Sequence, residues 1–229
     1  MMIHILFGLA LLLCHANVSA NFKFTYELFK NPTQLGAWFQ SSSSVTQELL
    51  RPAELLPGKK RLLEVGAGMG AVTRELVSIL HEDDVLDVVE INELYVKHLL
   101  SAFGEHENIR ITCGDILHFN TDCQYDAIIC TLPLTSFTQQ ELVLLFTQFE
   151  RLVKPNGYIS FVEYMLIDRL HSFFKKPEQR AALQAKNNII HDFKERYLLV
   201  TKRVLGNLPP LYVHHLCIPK KCFTNLLSA

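Results

Sequence analysis

The chain has 229 residues, 49% hydrophobic and 20% charged, which is enough apolar material for one well-filled α/β domain and too little length for a second full one. A net charge of -1 excludes a global attraction to nucleic acid or anionic lipid. The distribution is uneven: residues 1–150 carry 9 basic and 18 acidic side chains and residues 151–229 carry 13 and 5, so the last third reads either as a solvated basic face or as one turned toward a polyanionic surface.

In chain order, residues 1–20 come first as an apolar segment. Ile3 to Cys14 has the length of a signal-peptide core, and Val18-Ser19-Ala20 resembles a cleavage site. No Lys or Arg precedes the run, and it is shorter than the roughly 20 residues a spanning helix needs. A cleaved signal, a shallow membrane anchor and a start codon upstream of the true one all fit. Residues 21–60 form a lead-in segment: Ser41 to Ser44 offer N-cap hydroxyls to a helix through Val45, Leu49 and Leu50, and Pro57-Gly58 ends it.

Residues 61–216 then alternate strand and helix. Strands are predicted at Leu62–Val65, Val85–Glu90, Ile109–Thr112, Ala127–Cys130 and Tyr158–Tyr164. Helices fall near Ala71–Leu80, Glu93–Phe103 and Glu141–Leu152, the last opened by a Thr138-x-x-Glu141 capping box; Pro155-Asn156-Gly157 turns the chain into the fifth strand. A helix from Pro177 to about Arg196 carries Arg180, Lys186, Lys194 and Arg196. The runs Tyr197–Leu205 and Leu211–Leu216 are separated by five residues, too few for a parallel crossover, so they pair antiparallel. The fold class is therefore α/β and Rossmann-like: a mostly parallel sheet with an antiparallel carboxyl-terminal hairpin and helices on both faces. Residues 217–229 are a tail.

The six cysteines, Cys14, Cys113, Cys123, Cys130, Cys217 and Cys222, include no Cys-x-x-Cys pair and no neighbouring His cluster, so neither zinc nor a disulfide framework is indicated. Cys113 and Cys130 lie in strand-like runs, which suits a reducing compartment.

The densest signal is Glu64-Val65-Gly66-Ala67-Gly68-Met69-Gly70-Ala71, a glycine-rich turn between a strand and a helix. Gly66-x-Gly68-x-x-Ala71 also satisfies the dinucleotide fingerprint, so charge must decide the ligand. A carboxylate at Glu64 would repel a pyrophosphate arriving at the helix start. It is compatible with S-adenosylmethionine, which has an ammonium group and no phosphate. Glu90, 20 positions after Gly70, ends the second strand where an acidic side chain can accept from both ribose hydroxyls. Ile91 follows it, placed to pack on an adenine.

The pattern Glu-x-Gly-x-Gly-x-Gly resembles the first motif of class I S-adenosylmethionine-dependent methyltransferases, and Cys113-Gly114-Asp115-Ile116 is similar to the loop whose acidic side chain meets the adenine amine in that family. The resemblance implies a methyl-donor site formed by Glu64, Gly66, Ala67, Gly68, Gly70, Glu90, Ile91, Asp115, Ile116 and Cys130. Three further segments resemble the bacterial phospholipid N-methyltransferases: Phe29-Lys30-Asn31-Pro32 with Gly36-Ala37 and Ser41 to Ser44, Cys130-Thr131-Leu132-Pro133-Leu134, and Asn207-Leu208-Pro209-Pro210. The chain departs from that family at Trp38-Phe39-Gln40 and at Glu163-Tyr164-Met165. The implied acceptor is the phosphatidylethanolamine head group, with Trp38, Leu132, Pro133 and Asn207 at the substrate and a phospholipid surface as partner. A protonated amine must lose a proton before it attacks, which makes Glu163, Tyr164 or a histidine such as His214 or His215 the candidate acceptors.

The implied location is cytoplasmic, peripheral on the inner face of the membrane, with export left open by residues 1–20. A ribosomal RNA adenine dimethylase is the rival enzyme; its Asn-Leu-Pro-Tyr motif is replaced here by Thr131-Leu132-Pro133-Leu134, so amide and stacking ring are missing and nucleic acid is disfavoured. A non-catalytic binding protein of the same fold is the alternative outside enzymes.

Overall fold

In the computed structural model, which describes residues 43–165, 177–205 and 210–219, the alternation becomes five helices and seven strands among the described residues. They run α1 (Ser43–Leu55), β1 (Arg61–Val65), α2 (Ala71–Ile79), β2 (Val85–Glu90), α3 (Glu93–Phe103), β3 (Ile109–Cys113), β4 (Tyr125–Cys130), α4 (Gln139–Leu152), β5 (Val153–Tyr164), α5 (Pro177–Tyr197), β6 (Leu198–Val204) and β7 (Leu211–Cys217). The strands form one sheet in the order β3-β2-β1-β4-β5-β7-β6. The first five pair parallel, and β7 pairs antiparallel with both β5 and β6. This is the expected Rossmann-like sheet with its antiparallel hairpin.

Period-two alternation splits the core between the two faces. Leu63 and Val65 of β1, with Ile128 of β4 and Ile159 and Phe161 of β5, pack under α4 and α5; Leu62, Leu86, Val88, Ile129 and Val213 face the other way, toward α1, α2 and α3. In α4 the buried positions Leu142, Leu145, Phe146, Phe149 and Leu152 recur at helical spacing, and Phe146 stacks on Phe193 of α5 with centroids 4.1 Å apart. The capping box is complete: Thr138 accepts from the Glu141 amide, and the Glu141 carboxylate accepts from the Thr138 amide.

The lead-in helix packs on the sheet: Val45, Leu49, Leu50 and Ala53 of α1 are buried in the same cluster as Leu62 and Val213. Pro155-Asn156-Gly157 does not precede the fifth strand but lies inside it. Asn156 takes φ 65, its amide donates to the Ile218 carbonyl, and the register to β4 slips between Tyr125 and Ala127, so the turn is absorbed as a bulge. The expected antiparallel hairpin forms with β7 between β5 and β6, leaving β6 at the edge.

Candidate active site

Between β2 and β4 the order of connections reverses around β1, which opens a crevice at the carboxyl ends of these strands. The glycine turn fills the base of it. Gly66, Gly68 and Gly70 take φ of 80, 55 and 80, all left-handed. At Gly66 a Cβ would overlap the Leu132 side chain, and at Gly70 it would come within 2.8 Å of Phe103 and 2.9 Å of Leu99, so both positions require glycine twice over, for conformation and for space. Gly70 stands at the start of α2 with no side-chain cap.

The turn is fastened from both neighbouring strands. The Gly66 amide donates to the Val89 carbonyl of β2 at 2.9 Å. From the β4 side the Thr131 amide donates to the Val65 carbonyl at 3.1 Å, and the Thr131 hydroxyl donates to the Gly66 carbonyl at 2.5 Å. Thr131 was not a predicted site residue; the only sequence signal was its place immediately after β4.

Glu90 is 6% exposed at the end of β2 and holds two loops at once. Its Oε2 accepts from the Gly68 amide and its Oε1 from the Asn92 amide, each at 2.9 Å, while the Asn92 side chain caps α3. Each oxygen keeps a lone pair for a further donor. Ile91, beside it, is 65% exposed.

Beneath the turn, on the α2 side of the sheet, Glu64 is fully enclosed, and neither of its oxygens has a hydrogen-bond partner; Thr73 Oγ1 in α2 is equally unpaired. Burial pushes the Glu64 carboxyl up to about 8; the Thr73 hydroxyl and amide, near it but outside hydrogen-bonding geometry, oppose the shift, and the charge of Glu90 adds to it. An uncompensated buried carboxyl favours the approach of a cation and opposes that of a pyrophosphate.

Asp115 follows β3. Its Oδ1 accepts from the Leu117 amide at 2.9 Å and its Oδ2 lies 3.3 Å from the His118 ring, so it shapes its own turn as well as facing the crevice end of the sheet. Ile116 is buried behind it. The loop is gripped by α4: Gln148 donates to the carbonyls of Ile116 and Phe119, and Arg151 to those of Phe119 and Thr121. Nothing in the local pattern announced either residue, because the contact spans about 30 positions. Ala67 is buried within the glycine turn. Cys130 is 0% exposed, its thiol pushed up to about 12 by burial, so its side chain packs in the core at the crevice end of β4.

On the acceptor side Leu132 and Pro133 are half-buried at the end of β4, and Leu134 is buried in the core. Lys186 of α5 donates to the Thr135 carbonyl, tying this turn to the helix. Glu163 does not stand as a free base. Burial raises its proton affinity, but His214 at 3.1 Å and Lys194 at 2.7 Å together outweigh that and hold the carboxyl down at about 2. Tyr164 is pushed up to about 12 by burial. Both stand at the end of β5, Glu163 paired as an anion and Tyr164 holding its proton. Trp38 and Asn207, the other two expected substrate residues, lie outside the described residues, as do the segments 1–42 and 206–209.

Comparison with known proteins agrees with the fold. Residues 62–157 match the methyltransferase domain family. Human thiol S-methyltransferase TMT1A is 27% identical over 113 residues, which are 47% of this chain and 44% of that protein. Ribosomal RNA small subunit methyltransferase A of Pseudomonas savastanoi is 34% identical over 87 residues, 38% of this chain and 31% of that one. The chain thus spans less than half the length of these two relatives. The ornithine lipid N-methyltransferase of Singulisphaera acidiphila is 24% identical over 144 residues, 59% of this chain and 73% of that protein. Among solved structures, the N-methyltransferase NodS from Bradyrhizobium japonicum superposes with a TM-score of 0.61 at 17% identity, over 83% of this chain and 98% of that one.

Proposed function

We propose that this chain is an S-adenosylmethionine-dependent N-methyltransferase whose acceptor is a lipid amine, the phosphatidylethanolamine head group, at a membrane surface. The observation that carries the first half is the glycine turn hung from the Glu90 carboxylate above the orphaned Glu64. Its three glycines take left-handed φ values that let the turn fold back at the end of β1, and the buried Glu64 carboxyl below it suits a cation. Glu64, Gly66, Gly68 and Glu90 would hold the methyl donor, with Ile91 and the Asp115 turn at its adenine end. That group supplies an electrophilic methyl carbon on a sulfonium.

The chain's own residues supply position rather than a nucleophile. Thr131 fixes the turn against β4, so the ligand's place relative to Leu132 and Pro133 is set before an acceptor arrives. Glu163 is held as an anion by Lys194 and His214, so it fixes the end of β5 rather than attracting a head group, and the ammonium proton leaves to solvent. The acceptor class is supported by the likeness to a lipid N-methyltransferase over most of that protein's length and by the basic excess after residue 150, each basic side chain near anionic lipid contributing about 1 kcal/mol. A cytosolic location is the reading that suits a cofactor made there, and the free thiols of Cys113, Cys123, Cys130 and Cys217 are compatible with it. Against the RNA-adenine reading, the Thr131 hydroxyl is committed to the Gly66 carbonyl and Leu134 is buried, so neither presents an amide or a ring to a base.

The test mixes the full chain, methyl-labelled donor and liposomes containing phosphatidylethanolamine, with and without anionic lipid, beside undermethylated ribosomal RNA. Label should enter mono- or dimethylated lipid, faster with anionic lipid at low salt than at high salt. Label in RNA with every lipid unmodified would replace the lipid acceptor by adenine.

A further inference from the structure

A second pocket lies away from the methyl-donor crevice. It has a volume of about 330 Å³ and opens between the carboxyl-terminal half of α1 and the β6–β7 edge of the sheet. Tyr158, which lines it, begins the regular part of β5 and pairs with Cys217, whereas Glu163 and Tyr164 end that strand at the crevice. Six residues of strand separate the two positions, on the order of 20 Å. An acceptor in this pocket would be out of reach of the methyl donor, so it is a site of its own.

Its chemistry divides in two. The walls are apolar, built from Pro52, Leu55, Leu56, Pro57, Tyr158 and Leu199. Leu55 is 76% and Leu199 62% exposed, with Leu198 beside them at 43%, more uncovered leucine than a solvated edge needs. The polar groups are Glu48, Arg51, Lys202 and His215. Glu48 is shared between Arg51 at 3.7 Å and the buried His215 ring at 3.4 Å, so its charge is already opposed. The His215 ring is also fixed on its other nitrogen by Ser160 at 2.8 Å, and burial, with smaller contributions from His214 and Lys202, keeps it below its ordinary value despite Glu48. Lys202 has no hydrogen-bond or ion-pair partner among the described residues. With Glu48 offset by Arg51 and His215 neutral, the pocket carries one uncompensated positive charge beside an apolar cavity.

We infer that this pocket binds a free medium-chain carboxylate, its alkyl chain against Leu55, Leu56 and Leu199 and its head group on Lys202. The charge of Lys202 favours an anionic head, and the apolar lining favours an alkyl tail. The volume lies at the small end of the range for ligand sites, which favours one chain over the two of a bilayer lipid. The inference does not rest on methyl transfer.

Isothermal titration of the full chain with decanoate, octanoate, hexanoate and decanol tests it, with Lys202→Glu and Leu199→Asp as variants on the exposed edge strand. Folding is checked by circular dichroism and by retained S-adenosylhomocysteine binding. Decanoate should bind one per chain, with affinity falling roughly fourfold for each methylene removed. Decanol and the Lys202→Glu variant should each lose at least tenfold, and Leu199→Asp should weaken decanoate while leaving S-adenosylhomocysteine affinity unchanged. Equal binding of decanol, unchanged affinity in both folded variants, or binding only to bilayer vesicles would overturn the assignment.

Discussion

Replacing Glu64 by Gln isolates the cost of the carboxyl buried under the glycine turn. The side chain is fully enclosed and unpaired, and its proton affinity is raised from an ordinary 4.5 to about 8. A carboxyl raised in the folded state leaves stability intact below about pH 4.5 and removes it progressively as pH climbs through 8, because the unfolded chain ionises first. Across that window the slope is roughly 1 kcal/mol per pH unit, which accumulates to roughly 2–4 kcal/mol by pH 8. The amide does not titrate; its own desolvation cost is the same at every pH. Urea unfolding of wild type and Glu64→Gln at half-unit steps from pH 5 to 8, without methyl donor, should therefore show wild type declining relative to the variant throughout. Parallel curves would mean that Glu64 is ionised or solvated in the empty protein, and the argument that this group awaits a cation would fail.

Glu90→Ala removes acceptors for the Gly68 and Asn92 amides and the acceptor expected at the ribose; with hydrogen bonds to a charged group worth about 1.5–3 kcal/mol each, calorimetry should show S-adenosylhomocysteine affinity down at least tenfold and the melting temperature lowered. Glu163 works in the opposite sense to Glu64: held down at about 2 by His214 and Lys194, it contributes stability above about pH 4.5 that disappears as pH falls through 2, so wild type should lose more stability than Glu163→Gln over that acid range in denaturant titrations. Thiol labelling of the native protein, followed by peptide mass spectrometry, should modify exposed Cys113 readily and leave buried Cys130 untouched until the chain unfolds.

What could be read in advance was whatever repeats over a short stretch of chain. Strands β1, β2 and β4 declared themselves by apolar runs, α4 by its Thr138 and Glu141 pair, and the donor crevice by three glycines and an acidic residue 20 positions on. Contacts between distant positions were not legible. The Thr131 hydroxyl reaching Gly66, Gln148 and Arg151 gripping the loop after β3, and Lys194 with His214 flanking Glu163 are all pairings set by sheet order and helix placement. Glu163 shows the reason: its place at a strand end could be read, but its proton affinity depends on two residues 31 and 51 positions away. The place of β7 is of the same kind, since a short connection fixes antiparallel pairing without fixing which strand receives the outer neighbour.

That insertion sets a schedule for synthesis. The strand that seals the edge of β5 is β7, so until Cys217 has left the ribosome both β5 and β6 present unpaired backbone. At about 5–20 residues per second, the 53 positions from Tyr164 to Cys217 leave the edge of β5 open for several seconds. Ribosomes stalled anywhere from residue 170 to 210 should therefore carry a nascent chain prone to edge pairing and dependent on chaperones. A carboxyl-terminal truncation reaching β7 would remove an interior strand rather than trim a tail, leaving β6 with no partner in the sheet.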